Sequence, residues 1–187
     1  MIRLRARIVN YADDFVICCR DTADQAMHAM RAMMERLKLT VNERKTRICR
    51  VPGDTFQFLG YTIGECYSPR RRRTYLGQRP SQKAVQRICR AISEMTARWR
   101  TCLSEAEMVR AINQRLRGWA NYFQLGAVSK AYGAVDRHTK YRLCKWLRWK
   151  HRLGRRGTAR FTDQYLYQTL GLICLPRLKR SFPRAKG

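Results

Sequence analysis

The chain has 187 residues, 45% of them hydrophobic, so it is too apolar for a disordered basic tail and long enough to bury a core in one ordinary domain or two small ones. Its 40 Lys and Arg against 13 Asp and Glu leave a formal net charge of +27, unevenly placed: residues 1–68 carry 11 basic and 8 acidic side chains, residues 69–187 carry 29 and 5. No run of about 18 apolar residues, anchor motif or signal peptide is visible, so no membrane partner is expected, and the basic second region calls for a polyanion such as a nucleic-acid backbone.

In chain order, "RIVNYADDFVICC" (7–19) reads as two short strands around a turn at "ADD". "DTADQAMHAMRAMMERLKL" follows with Thr22 and Gln25 at capping-box spacing and a helical stripe of Ala23, Ala26, Met27, Met30, Met34 and Leu37, read as core packing. "KTRICRV" and "FQFLGYTI" read as two further strands with "PGD" as their turn, which makes residues 1–68 hairpin, helix, hairpin. Residues 69–80, within "GECYSPRRRRTYLGQRP", read as a basic linker that either lines the path of a duplex or has no fixed structure. Beyond it the pattern is helical. Val85, Ile88, Ile92, Met95 and Trp99 recur on one face with Lys83, Arg87 and Arg90 on the other; Ser104 and Glu107 form a capping box ahead of Val109, Ile112, Leu116, Trp119 and Phe123; and a third helix runs from about Ser129 to Lys150. Residues 81–153 thus predict a compact three-helix bundle, and 154–187 a basic extension in which "DQYLYQTLG" forms one short helix ending at Gly171. The fold class is α+β.

The eight cysteines show no CxxC pair and no spaced His partner, which argues against zinc and for buried thiols in a reducing, bacterial-type cytoplasm. Asp13 and Asp14 are the chemically suggestive pair. Neighbouring side chains on a strand point to opposite faces, but at a hairpin tip the chain reverses and both carboxylates can project together. Mg²⁺ takes oxygen ligands and keeps several waters, so two or three carboxylates with substrate phosphates make a phosphoryl-transfer site. On these residues alone, a solvated turn is the favoured reading.

Five ordered segments resemble the group II intron reverse transcriptases, or intron maturases. "YADDFVI" is similar to their polymerase active-site hairpin, "LKLTVNERKTRI" to the next block with its Lys-Thr at Lys45 and Thr46, and "FQFLGYTI" to the block leading out of the palm. "LRGWANYF" resembles the signature of the maturase thumb (domain X) and "YLYQTLGLICLP" the segment after it, so the likeness runs from about residue 6 to about residue 178. The resemblance implies the end of a palm over 1–68 and a thumb over 81–153, acting on intron RNA and on an RNA/DNA primer–template. It implies Asp13, with Asp14 as a second contributor, as catalytic ligands of Mg²⁺, and Tyr11 beside the primer–template. Phe58, Leu59, Gly60 and Tyr61 would lie near the primer end or, for Phe58 and Leu59, in plain sheet core; Lys45 would steady phosphates or cap a strand. Trp119 and Phe123 continue the apolar stripe and are read as core, whereas Arg87, Arg90, Arg115, Arg117, Lys140, Arg142 and Lys145 are read as RNA contacts.

A family member also needs fingers and an earlier palm strand with a further catalytic Asp, and no residue here matches them. The expectation is therefore a C-terminal fragment, inactive as a polymerase unless joined to the N-terminal half, without an endonuclease module. Two alternatives remain: an RNA-binding maturase module that assists splicing, and a generic basic nucleic-acid-binding bundle, which leaves "YADD" and "FLGY" without a reason.

Overall fold

In a computed structural model of the chain, residues 6–20, 22–68, 71–154, 157 and 160–178 are described. The architecture is α+β, divided into two compact units drawn from residues 1–58 with 63–76 and from 59–62 with 77–187. Among the described residues, no helix is long and apolar enough to cross a membrane.

In the first unit, β1 (Ala6–Tyr11) and β2 (Asp14–Cys19) pair antiparallel from Ala6↔Cys19 to Tyr11↔Asp14, so the two-residue turn is Ala12–Asp13. Helix α1 (Ala23–Arg36) packs on β2 and buries Ala26 and Met30. The expected stripe stops short, since Leu37 is exposed. The expected capping box is also absent: Thr22 sits at φ −129°, ψ 29°, outside the extended geometry from which a cap side chain reaches back, and its buried hydroxyl has no partner among the described residues.

The second hairpin differs from its expectation. "KTRICRV" forms no strand, because residues 50–54 close on themselves: the Asp54 amide donates to the Arg50 carbonyl (2.8 Å) and the Arg50 amide to the Asp54 carboxylate (2.9 Å). Lys45, in a turn, has no strand to cap. The sheet is instead β3 (Phe56–Phe58), β4 (Tyr61–Ser68) and β5 (Arg73–Pro80), in that order. Most of the segment expected as a linker is therefore strand: "RTYLGQRP" has the aromatic and apolar residues that β4 can pair with, and the arginine run ends where β5 begins. Arg71 and Arg72 form the turn before it; Arg70 lies outside the described residues.

The second unit holds the principal core. Three long helices, α2 (Gln82–Met95), α3 (Glu105–Tyr122) and α4 (Ser129–Lys150), form the expected bundle around Ile92, Ile112, Leu116, Val135, Leu143, Trp146 and Leu147. Ser81 caps α2 through its side chain, and Ser104 with Glu107 makes the full capping box of α3, which satisfies donors the helix cannot satisfy internally. Trp99 departs from its expected place in the core. The chain leaves α2 at Thr96, whose hydroxyl donates back to the Ile92 carbonyl (2.7 Å), and a 3₁₀ turn over Arg98–Cys102 leaves Trp99 73% exposed.

The C-terminal segment forms a π-helical turn, Tyr165–Thr169, rather than an α-helix, followed by Gly171 at φ +71° and the short α5 (Leu175–Leu178). Asp136 holds it: this buried carboxylate accepts from the Tyr167 hydroxyl (2.6 Å) and the Leu175 amide (3.2 Å). Among the described residues no disulfide forms; of the eight cysteines Cys66 is buried, and Cys18 and Cys102 are exposed. Cys89 and Cys144 pack half-buried on the core, where burial pushes their thiols above the ordinary value and keeps them protonated.

Candidate nucleic-acid interface

An amphipathic helix whose apolar face is used in a bundle presents its other face to solvent, and here that face is basic. On α2, Lys83, Arg87 and Arg90 recur at helical spacing and are all exposed. Arg115 and Arg117 of α3 are exposed on either side of buried Leu116; two residues apart on a helix, they point about 160° from each other and form no single patch. Arg117 shares its line with exposed Arg110, seven residues earlier. Among the described residues, Arg87, Arg90, Arg115 and Arg117 make no hydrogen bond or ion pair, so their charges are available to a ligand.

Helix α4 divides the remaining three candidates. Arg142 is turned inward: its guanidinium donates to the Ser93 carbonyl (2.7 Å), the Thr96 hydroxyl (3.0 Å) and the Thr96 carbonyl (3.2 Å), closing the C-terminus of α2. Cations are favoured at that end of a helix, and the three acceptors give Arg142 a place in the bundle. Lys140 pairs with Asp163 (3.1 Å), and the Lys145 ammonium lies 5.1 Å from the centre of the Trp149 ring, leaving it half-exposed. Sequence reading missed the line formed by Lys130, Arg137, Tyr141 and Arg148, spaced seven, four and seven apart, although that spacing was there to be counted.

Leu59, Gly60 and Tyr61 of "FLGY" meet the "GWANYF" segment within the second unit. Leu59 and Gly60 turn the chain from β3 to β4 with φ of +49° and +76°. The Tyr122 hydroxyl donates to the Leu59 carbonyl (2.9 Å), the Tyr61 hydroxyl to the Tyr122 carbonyl (2.7 Å), and the Ser81 amide to the Gly60 carbonyl (2.8 Å). The Phe123 ring fills the space beside Gly60, where a Cβ would come within 3.2 Å of its edge, and its centre lies 5.0 Å from that of the Tyr61 ring, tilted to it by 56°. Phe123 and Trp119 are thus core groups, as read, and Gly60 admits an aromatic ring; Phe58 closes β3 half-buried.

In the first unit, Asp13 occupies the hairpin turn after Ala12 (φ +53°), and Asp14 opens β2 opposite Tyr11; all three side chains are exposed. Lys45 is exposed in its own turn, where its amide donates to the Asn42 carbonyl (3.0 Å). Among the described residues, no group of three or more His, Cys, Asp or Glu could hold a metal ion. Asp13 and Asp14 have the right oxygen chemistry for Mg²⁺, but two carboxylates make a site only together with waters and substrate phosphates.

Residues 85–171 match the family model for the group II intron, maturase-specific domain, which spans α2 to the turn at Gly171. No match to a curated protein was found.

Proposed function

We propose that the chain, as the bearer of a group II intron maturase-specific domain, binds intron RNA through the basic outer faces of α2, α3 and α4 and assists splicing by holding that RNA in its folded form. The observation that carries this reading is the set of exposed arginines, Arg87, Arg90, Arg115 and Arg117, without partners among the described residues and placed on the helices that the maturase match covers. Lys145 adds to the face; Arg142 acts inside the bundle. Binding of this kind rests on phosphate and on the shape of a structured RNA, so affinity falls steeply with salt. The test is a filter-binding series on a group II intron RNA from low to high salt, with transfer RNA as competitor. Arg87→Ala and Arg90→Ala should weaken binding and flatten the salt slope by about 0.7–0.9 for each phosphate contact removed. Salt-independent binding, or variants that bind like wild type, would sink the reading.

A second reading concerns the hairpin. Its two exposed carboxylates at "ADD" favour a place in the palm of an RNA-directed DNA polymerase, where Asp13 and Asp14 would hold Mg²⁺ beside a primer–template and the N-terminal half would supply the rest of the site. With only this pair brought together among the described residues, we propose that the chain alone does not extend a primer. Extension on an RNA template with Mg²⁺ that disappears in Asp13→Asn would overturn the inactivity and establish the metal role.

A further inference from the structure

One surface of the second unit is shaped for more than phosphate. Tyr141, Lys145 and Arg148 lie four and three residues apart on α4 and so share a face, and beside them is a cavity of about 480 Å³. Its apolar lining includes Cys144, Phe161 and Leu166, the last fully buried. That size falls in the range of about 300–1,000 Å³ usual for sites that take one small ligand. The one acidic side chain in the lining, Asp163, is paired with Lys140 at 3.1 Å, so it does not leave a bare negative charge facing a phosphate. Tyr141 stands 63% exposed at the edge of this cavity, and no ring contact or side-chain hydrogen bond holds its ring among the described residues, so the ring face is open to a ligand.

A duplex offers phosphates and sugars at its surface and keeps its base faces stacked inside, so it has no use for an apolar floor and an aromatic wall. An unpaired nucleotide has both halves: a flat base for Tyr141 and the apolar lining, and a phosphate for the cations at the edge. We infer that the groove formed by Tyr141, Lys145, Arg148 and the Cys144–Phe161–Leu166 floor is a site for a single unpaired nucleotide of the bound RNA. The base lies against Tyr141 and the floor, and its phosphate between Lys145 and Arg148. This inference rests on the RNA-binding reading above and adds a preference within it, for RNA with an extruded base over fully paired RNA.

The test compares two RNA hairpins of equal stem length, one with a single bulged adenosine and one without, at fixed ionic strength. Wild type should bind the bulged hairpin about tenfold more tightly, as stacking of one base on one aromatic side chain provides. Tyr141→Ala should erase that preference by weakening the bulged hairpin's binding far more than the paired hairpin's, while Tyr141→Phe keeps it. The double variant Lys145→Ala, Arg148→Ala should weaken binding of both hairpins and of the bulged one more. Equal affinity of wild type for the two hairpins, or a preference that survives Tyr141→Ala, overturns the groove assignment while RNA binding stands. Failure of wild type to bind either hairpin removes the RNA-binding reading and this one with it.

Discussion

The two units differ in what their apolar residues do. In the second, Ile92, Ile112, Leu116, Leu143, Trp146 and Leu147 are fully enclosed by helices of the same unit. In the first, buried apolar side chains among the described residues are few, Ala26, Met30 and Cys66, whereas Ile8, Val9, Tyr11, Met33 and Leu39 are exposed. Both have sequences rich in hydrophobic residues, so composition is not the difference. A helix pair can bury one face of each member against the other, but a two-stranded hairpin with one helix has too little surface to cover both faces of its strands. Stability in this chain therefore belongs to the basic helical unit, and the acidic turn sits on the unit with little core of its own.

The largest expected effect tests that contrast directly. Trp146→Ala should cost the second unit roughly 3–5 kcal/mol, because it empties a fully buried site. Val9→Ala, at a half-exposed strand position, should cost under about 1 kcal/mol. Urea titrations followed by circular dichroism give both values, and limited proteolysis should cut within residues 6–58 before it cuts the helices between 82 and 150. A hairpin variant as damaging as Trp146→Ala would break the comparison.

Arginines sharpen it further, because the basic unit uses them in two ways. Arg142→Ala removes three hydrogen bonds from a charged donor at the end of α2 and should destabilise the unit by about 1.5–3 kcal/mol. It should have little effect on RNA affinity measured on folded protein. Exposed Arg87→Ala should do the reverse, with stability within about 0.5 kcal/mol of wild type and weaker, less salt-dependent RNA binding. Thermal melts and binding series on both variants decide the matter; loss of binding in Arg142→Ala at full folding would return that residue to the interface.

A smaller loss is expected at the turn between β3 and β4. Gly60 holds φ +76°, which a side chain disfavours, and the Phe123 ring leaves little room for a methyl group. Gly60→Ala should cost about 1–3 kcal/mol, read from the melting of the second unit. A neutral result would mean that the turn relaxes away from α3.

Much of this was legible in the sequence where one periodicity ran unbroken. The 3.6 rhythm of Ile112, Leu116, Trp119 and Phe123 placed α3, and Ser104 with Glu107 placed its start, because both signals are local. Trp99 was misplaced since a rhythm counted along α2 cannot see the hydroxyl of Thr96 and the side chain of Arg142 ending that helix. Strand β5 was hidden by the adjoining arginines, and "KTRICRV" was read as its substitute because pairing partners are chosen in three dimensions. The same limit applies to the interface. Spacing placed Arg87 and Arg90 on an open face, but nothing in the one-dimensional pattern distinguishes Arg142, which faces α2, from Lys145, which faces the groove.

The last effect is nil at neutral pH, appears only in alkaline solution, and isolates the second unit once more. Tyr132 is fully buried, its hydroxyl lies 3.1 Å from each of the Ala120 and Phe123 carbonyls, and burial pushes its phenol up to about 12. Tyr167, beside the Asp136 carboxylate, is raised as well, by burial first and by that hydrogen bond second. A folded state that holds a proton the unfolded chain releases near pH 10 has that stabilisation in full below pH 10 and loses it as pH rises towards 12. The urea midpoint of the helical unit should therefore fall across this window. In Tyr132→Phe the midpoint should start lower, for want of the buried hydroxyl's hydrogen bonding, and then fall less steeply. Parallel declines in the two proteins would mean that Tyr132 is not the group that titrates, and would leave Tyr167 to account for the slope.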